Sequence, residues 1–202
     1  MPKVAYSEEE REKIREMLIA AGLELMTQQG IQHTTVEQIY KKVGISQTFF
    51  YSFFPTKEEL IVETLYLQQP RLIDYARKLM NDPALSWREG VEQLLYSLCY
   101  GEKYGIIVLT MEEQQLIFKR LSEKNYKIFR EKQLRLFNTI LNICGIYVNE
   151  EQLKVFLNLA IITVITYRVF PNTFPLLISE VSKETVDFQI HTLVDYLEKL
   201  KK

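Results

Sequence analysis

The residues best able to do chemistry lie between Thr34 and Leu60, in the run TTVEQIYKKVGISQTFFYSFFPTKEEL. Ser46, Gln47 and Thr48 are consecutive short polar side chains. Gln carries a donor and an acceptor that match the adenine edge in the major groove, and Thr can bond a base or touch a thymine methyl. Phe49, beside them, suits thymine methyls. Tyr51 and Lys57 bring a hydroxyl and an ammonium that can reach phosphate, as can the free amides at helix starts. This is the chemistry of recognition. His33 and His191 stand isolated and Cys99 has no histidine at hand, so neither a metal set nor a nucleophile–base pair assembles. No glycine-rich phosphate loop occurs. No catalytic residue, metal or cofactor is expected, and the chain is not expected to be an enzyme.

For those side chains to act together, short helices must present them. Ser7 with Glu10 forms a capping box that opens a first helix, and Ile14, Met17, Leu18, Ala21, Leu25 and Met26 recur along it at helical spacing. Gly30 is its stop. Thr34 with Glu37, or Thr35 with Gln38, opens a second helix that runs to about Val43. Gly44 supplies a tight turn, Ser46 caps a short third helix from Gln47 to about Phe53, and Pro55 ends it. Thr56 with Glu59 then caps a fourth helix starting at Lys57. A helix pair joined by so tight a turn suits one helix crossing the DNA backbone while the next enters the groove.

Downstream, Pro70 is expected to kink or break the fourth helix before it reaches Met80. Further helices are expected over Trp87–Tyr104, Glu112–Asn142 and Glu150–Phe170, and from Leu176 or Ser179 to Leu200. The body is rich in aromatic residues. One by one they read as core; together they suit a largely apolar pocket with phenolic donors. Tyr96, Tyr100, Tyr104, Met111, Phe118, Phe129 and Tyr167 are its expected lining, with Asn125 as a polar contact on the long helix. Ala160, Ile161, Val164 and Ile165 belong to a helix apolar nearly all round, which suits core on one face and a partner subunit on the other.

Composition agrees with a helical globular protein. Of 202 residues, 47% are hydrophobic and 25% charged, with 7 Gly and 6 Pro, so the chain can bury a core. Net charge is −1. The first sixty residues hold seven Lys/Arg and nine Asp/Glu, yet Thr34–Lys57 holds three Lys and one Glu, so positive charge is local. The 2 Cys suggest no disulfide framework, and no secretory h-region opens the chain, which points to the cytoplasm. The most apolar run, Val155–Tyr167, is shorter than the ~20 residues a membrane span needs, so no membrane partner is expected.

From Thr34 to Leu60 the pattern T-T-V-E-Q-I-x-x-x-V-G-I-S-x-x-x-F-Y-x-x-F-P-T-K-E-E-L resembles the DNA-binding domain of TetR-family transcriptional regulators. It departs from the common family pattern at Tyr40, Val43, Thr48 and Phe53. The resemblance implies an all-α fold, with a three-helix helix-turn-helix domain over residues 1–55 and a helical ligand-binding and dimerisation bundle over 56–202. It implies a homodimer, paired through the last two helices and bound to a palindromic duplex operator, usually as a repressor that responds to a small-molecule effector. Thr35, Ser46, Gln47, Thr48, Phe49, Tyr51 and Lys57 match family positions that contact DNA. The rival reading is an all-α lipid-carrier or enzyme domain that does not bind DNA.

Overall fold

The computed structural model describes residues 6–99, 106–169 and 178–201. Among them are nine helices and no strand: α1 (Glu8–Gln29), α2 (Val36–Val43), α3 (Gln47–Tyr51), α4 (Lys57–Met80), α5 (Trp87–Cys99), α6 (Met111–Arg120), α7 (Glu123–Ile143), α8 (Glu150–Val169) and α9 (Ser182–Leu200). None of the described helices is long and apolar enough to cross a membrane.

The N-terminal helices begin where short polar side chains satisfy their first amides. Ser7 and Glu10 form a reciprocal capping box, as do Thr35 and Gln38. Ser46 accepts from the Phe49 amide and Thr56 from the Glu59 amide. Gly44 sits at φ 80°, ψ 29°, with its N–H on the Tyr40 and Lys41 carbonyls. That left-handed conformation is what a glycine supplies without strain. Helix α3 ends earlier than expected, and Met17 faces solvent instead of the core.

Helix α4 runs unbroken through Pro70. The lost backbone bond is outweighed by packing on both sides, with Leu65 and Gln68 buried before the proline and Leu72 and Ala76 after it. The expected long helix from Glu112 to Asn142 is instead two. Leu121 is extended (φ −72°, ψ 140°), and Ser122 caps α7 by accepting from the Asn125 amide. Apolar periodicity carries across this break and hides it; the Ser122 cap was the local sign. The last helix is preceded by a 3-10 turn at Ser179–Val181. The end expected for α5, with Tyr100 and Tyr104, lies outside the described residues.

Two cores result. One gathers Leu18, Ile39, Phe50 and Leu60 with Ile107, Ile117, Leu121 and Phe129. The other gathers Leu72, Val91, Leu141, Ile146, Ile190 and Leu197, with the Trp87 indole N–H donating to the Cys144 carbonyl at 2.7 Å. The first core therefore reaches beyond the N-terminal helices. Ile107, α6 and the start of α7 are packed into it.

Candidate nucleic-acid interface and effector cavity

Ser46, Gln47 and Thr48 lie together at the tip of α3, all exposed. Thr35 is exposed too, its hydroxyl occupied as the α2 cap. Gln38 closes that box, and its Oε1 also accepts from Gln29 Nε2 at 3.0 Å. The start of α2 is thus tied to the end of α1. Tyr51 is exposed, its ring edge-on to buried Phe50. Phe49 is half-buried. The Tyr6 ring stacks on it at 4.8 Å, and the Arg11 guanidinium lies 5.6 Å from its centroid.

Lys57 Nζ donates to the Ile31 carbonyl at 2.6 Å, which bridges the start of α4 to the turn before α2. Burial pushes its ammonium below the ordinary lysine value, while the Glu113 and Glu58 carboxylates pull it back up. Lys41 pairs with Glu37 at 2.6 Å and Lys42 with Glu24 at 2.9 Å. In the free protein, then, Lys57 is turned toward backbone, and the two lysines of α2 face carboxylates.

A cavity of about 180 Å³ lies inside the body, walled by α4, α5, the irregular segment 106–110, α6, α7 and α8. Of the residues named from the sequence, Phe118 and Phe129 line it, but most of the wall is aliphatic: Leu65, Leu72, Ile117, Leu136 and Ile140 among others. Its polar side chains among the described residues are Gln68, Gln114 and Gln133, and no ionisable side chain lines it among them. Met111 is largely exposed outside it. Tyr96 turns to α9, its hydroxyl donating to Asp187 at 2.7 Å. Tyr167 packs half-buried against the second core. Asn125, displaced by the break at Leu121, lies in a separate cleft of about 260 Å³ with Arg15, Phe53 and Tyr66. There burial pushes the Tyr66 phenol up to about 12, and the Lys132 ammonium sits 3.6 Å over its ring.

Gln68 went unnoticed in the sequence. Its side chain bonds both backbone groups of Ile107: Nε2 donates to the carbonyl and Oε1 accepts from the N–H, each at 2.9 Å. A buried amide is tolerated because both of its groups are satisfied. The sign was its spacing, since Leu65, Gln68 and Leu72 share the inward stripe of α4. The pair fastens segment 106–110 between cavity and module. Ile106, Ile107, Val108 and Leu109 line the cavity, and Ile107 is also part of the first core. The next residue, Thr110, caps α6 in a box with Glu113, itself buried.

A profile described as "Bacterial regulatory proteins, tetR family" matches residues 18–64. The chain is 32% identical over 146 residues to the nucleoid occlusion factor SlmA of Haemophilus ducreyi, covering 69% of this chain and 68% of that protein. It is 28% identical over 141 residues to the uncharacterized HTH-type transcriptional regulator YuxN of Bacillus subtilis, covering 67% of this chain. In that case it spans about half of the relative's length, 46%. The fold also matches a solved TetR transcriptional regulator from Rhodococcus sp. RHA1, with a TM-score of 0.60 at 19% identity, over 93% of this chain and 97% of that one.

Replacing Gln68 by Leu keeps the bulk but strands the Ile107 N–H and carbonyl in a buried place. Leaving such groups unpaired costs about 1–3 kcal/mol each. The expected outcome is a lower urea midpoint, with faster hydrogen exchange at the Ile107 amide than at amides of α9. Unchanged exchange at Ile107 would show that the pair does not hold the segment.

Proposed function

We propose that this chain, which belongs to the tetR family of bacterial regulatory proteins, is a transcriptional repressor that grips duplex DNA as a homodimer and lets go when a small uncharged molecule enters its body. One observation carries the reading: a capped, glycine-turned helix pair presents Ser46, Gln47 and Thr48 to solvent within the stretch that matches the family. Residues 1–55 act as the reading unit, carried on α4, and 56–202 as the sensing and pairing unit. In the cytoplasm, Gln47 and Thr48 read base edges, Ser46 and Tyr51 take phosphate, and the amides at the starts of α2 and α4 add phosphate contacts. Nothing observed favours the lipid-carrier or enzyme reading.

The chemistry of the cavity supports an uncharged effector. Burying a charge without a partner is costly, and the described lining offers neither cation nor anion. The volume of about 180 Å³ compares with the ~150 Å³ of an engineered apolar cavity that takes benzene, so one ring or a short branched chain fits. Gln114 and Gln133 offer amides to a hydroxyl or carbonyl. The position of segment 106–110 gives occupancy a route to the module, because residues that wall the cavity also belong to the first core.

Pairing is supported by α8 and α9. Val155, Leu159 and Ile162 line one outer face of α8, and Val181 and Phe188 stand out beside the start of α9 and along it, Phe188 at 72% exposure. Two such faces brought together bury one another in a four-helix arrangement.

Three outcomes are expected. Selection from a random duplex library recovers a palindrome whose affinity falls steeply with salt, by a slope of about −0.9 per phosphate contact; failure to recover any duplex overturns the DNA reading. Phenol or toluene raises the melting temperature and weakens operator binding, while benzoate and benzylammonium do neither; tighter binding of the charged probes overturns the effector assignment. Phe188→Glu yields a monomer in sedimentation with its helix content kept, whereas an unchanged dimer places the interface elsewhere.

A further inference from the structure

We infer that Arg11, in the first turn of α1, is the cation that anchors the reading helix to a DNA phosphate; the inference rests on the DNA-binding reading above. The segment Ser46–Phe54, SQTFFYSFF, carries no charge of its own, so the positive charge that meets phosphate must come from elsewhere in the module. Six Lys/Arg among its described residues are candidates, and five are committed. Lys13 holds Glu9 at 2.7 Å, Arg15 holds Glu63 at 3.0 Å, Lys41 holds Glu37, Lys42 holds Glu24, and Lys57 holds the Ile31 carbonyl. Drawing any of the first four to phosphate leaves a carboxylate exposed to the same phosphates. Among the described Lys and Arg of the module, Arg11 alone makes neither a salt bridge nor a side-chain hydrogen bond.

Its position fits the task. The guanidinium lies 4.7 Å from the centroid of Phe53 and 5.6 Å from that of Phe49, two residues one turn apart at and just beyond α3. Aromatic faces hold a guanidinium by cation–π attraction and leave its N–H donors for an anion. Tyr6 stacks on Phe49 and extends the platform. The acidic residues flanking Arg11 are largely spoken for: Glu9 pairs with Lys13, Glu10 closes the Ser7 capping box, and Glu12 faces Arg15. Phe49 therefore serves as the seat of Arg11, and base reading is left to Gln47 and Thr48.

The test uses the full chain, the duplex recovered by selection and a scrambled duplex, with affinity measured by fluorescence anisotropy across a potassium chloride series. Arg11→Ala is expected to weaken both duplexes about equally, by roughly tenfold, and to flatten the salt slope by about one phosphate per subunit. Arg11→Lys is expected to keep most of the slope. Lys13→Ala, which removes a committed cation, is expected to leave it unchanged. A slope in Arg11→Ala equal to that of the wild type, or a loss no greater than in Lys13→Ala, overturns the assignment while leaving the DNA reading intact. A wild-type chain that binds no duplex overturns both. Matching thermal melts of the three variants exclude unfolding as the cause.

Discussion

The two hydrogen bonds between the Gln68 side chain and the Ile107 backbone are the constraint on which the arrangement of this molecule turns. Segment 106–110 has no regular secondary structure, and so no helical ladder to satisfy its backbone. A side chain from the middle of α4 does that work for Ile107 and so sets where the segment lies. Once Ile107 is fixed, its side chain enters the core shared with Leu18, Ile39 and Phe50, and its neighbours wall the cavity. Thr110 then begins α6 at a defined point, and α6 sends Ile117 into that same core. The unbroken course of α4 through Pro70 belongs to this arrangement, because Gln68 lies only two residues before the proline and is useful only if the helix keeps its line there.

Electrostatics divides the N-terminal module in a different way. Its charged residues are mostly paired with one another on the surface, where each pair contributes about 0–1 kcal/mol, so they add little to the fold. Their effect is to leave the field at the reading tip to very few groups. The short helix α3 is uncharged and flanked by aromatic rings, so on the proposed DNA-binding reading the burden of phosphate contact falls on hydroxyls, helix-start amides and the guanidinium over Phe49 and Phe53. Lys57 illustrates the opposite use of a cation. Half-buried, it closes the turn after α1 by holding a carbonyl.

Legibility followed range along the chain. The caps at Ser7, Thr35, Ser46 and Thr56 and the left-handed turn at Gly44 are local bargains between neighbouring residues, and the residue types disclosed them. The break at Leu121–Ser122 was masked because apolar spacing continued across it, although the cap itself was local. The partners of Gln68, Lys57 and Tyr96 lie 39, 26 and 91 residues away, and no pattern within a helix reveals them. The cavity shows the same limit. Aromatic content suggested rings and phenols, but Tyr96 satisfies its hydroxyl on Asp187, and the wall filled instead with aliphatic side chains from five helices.

The nature of that wall bears on how a small neutral guest can be felt at a distance. Five of its six sides are helices, each stiffened by its own backbone ladder and by packing on a core. The sixth, segment 106–110, has no such ladder and is held at Ile107 by one side chain. When a guest fills an apolar space, the wall with the fewest backbone bonds yields at the lowest free energy. Here that wall is also one whose far side meets the module, since Ile107 belongs to the same core as Ile31 and Leu18. A guest needs no charge and no long reach to act. It needs only to prefer the position of segment 106–110 that the first core disfavours, because differential affinity for two arrangements is all that shifts their balance.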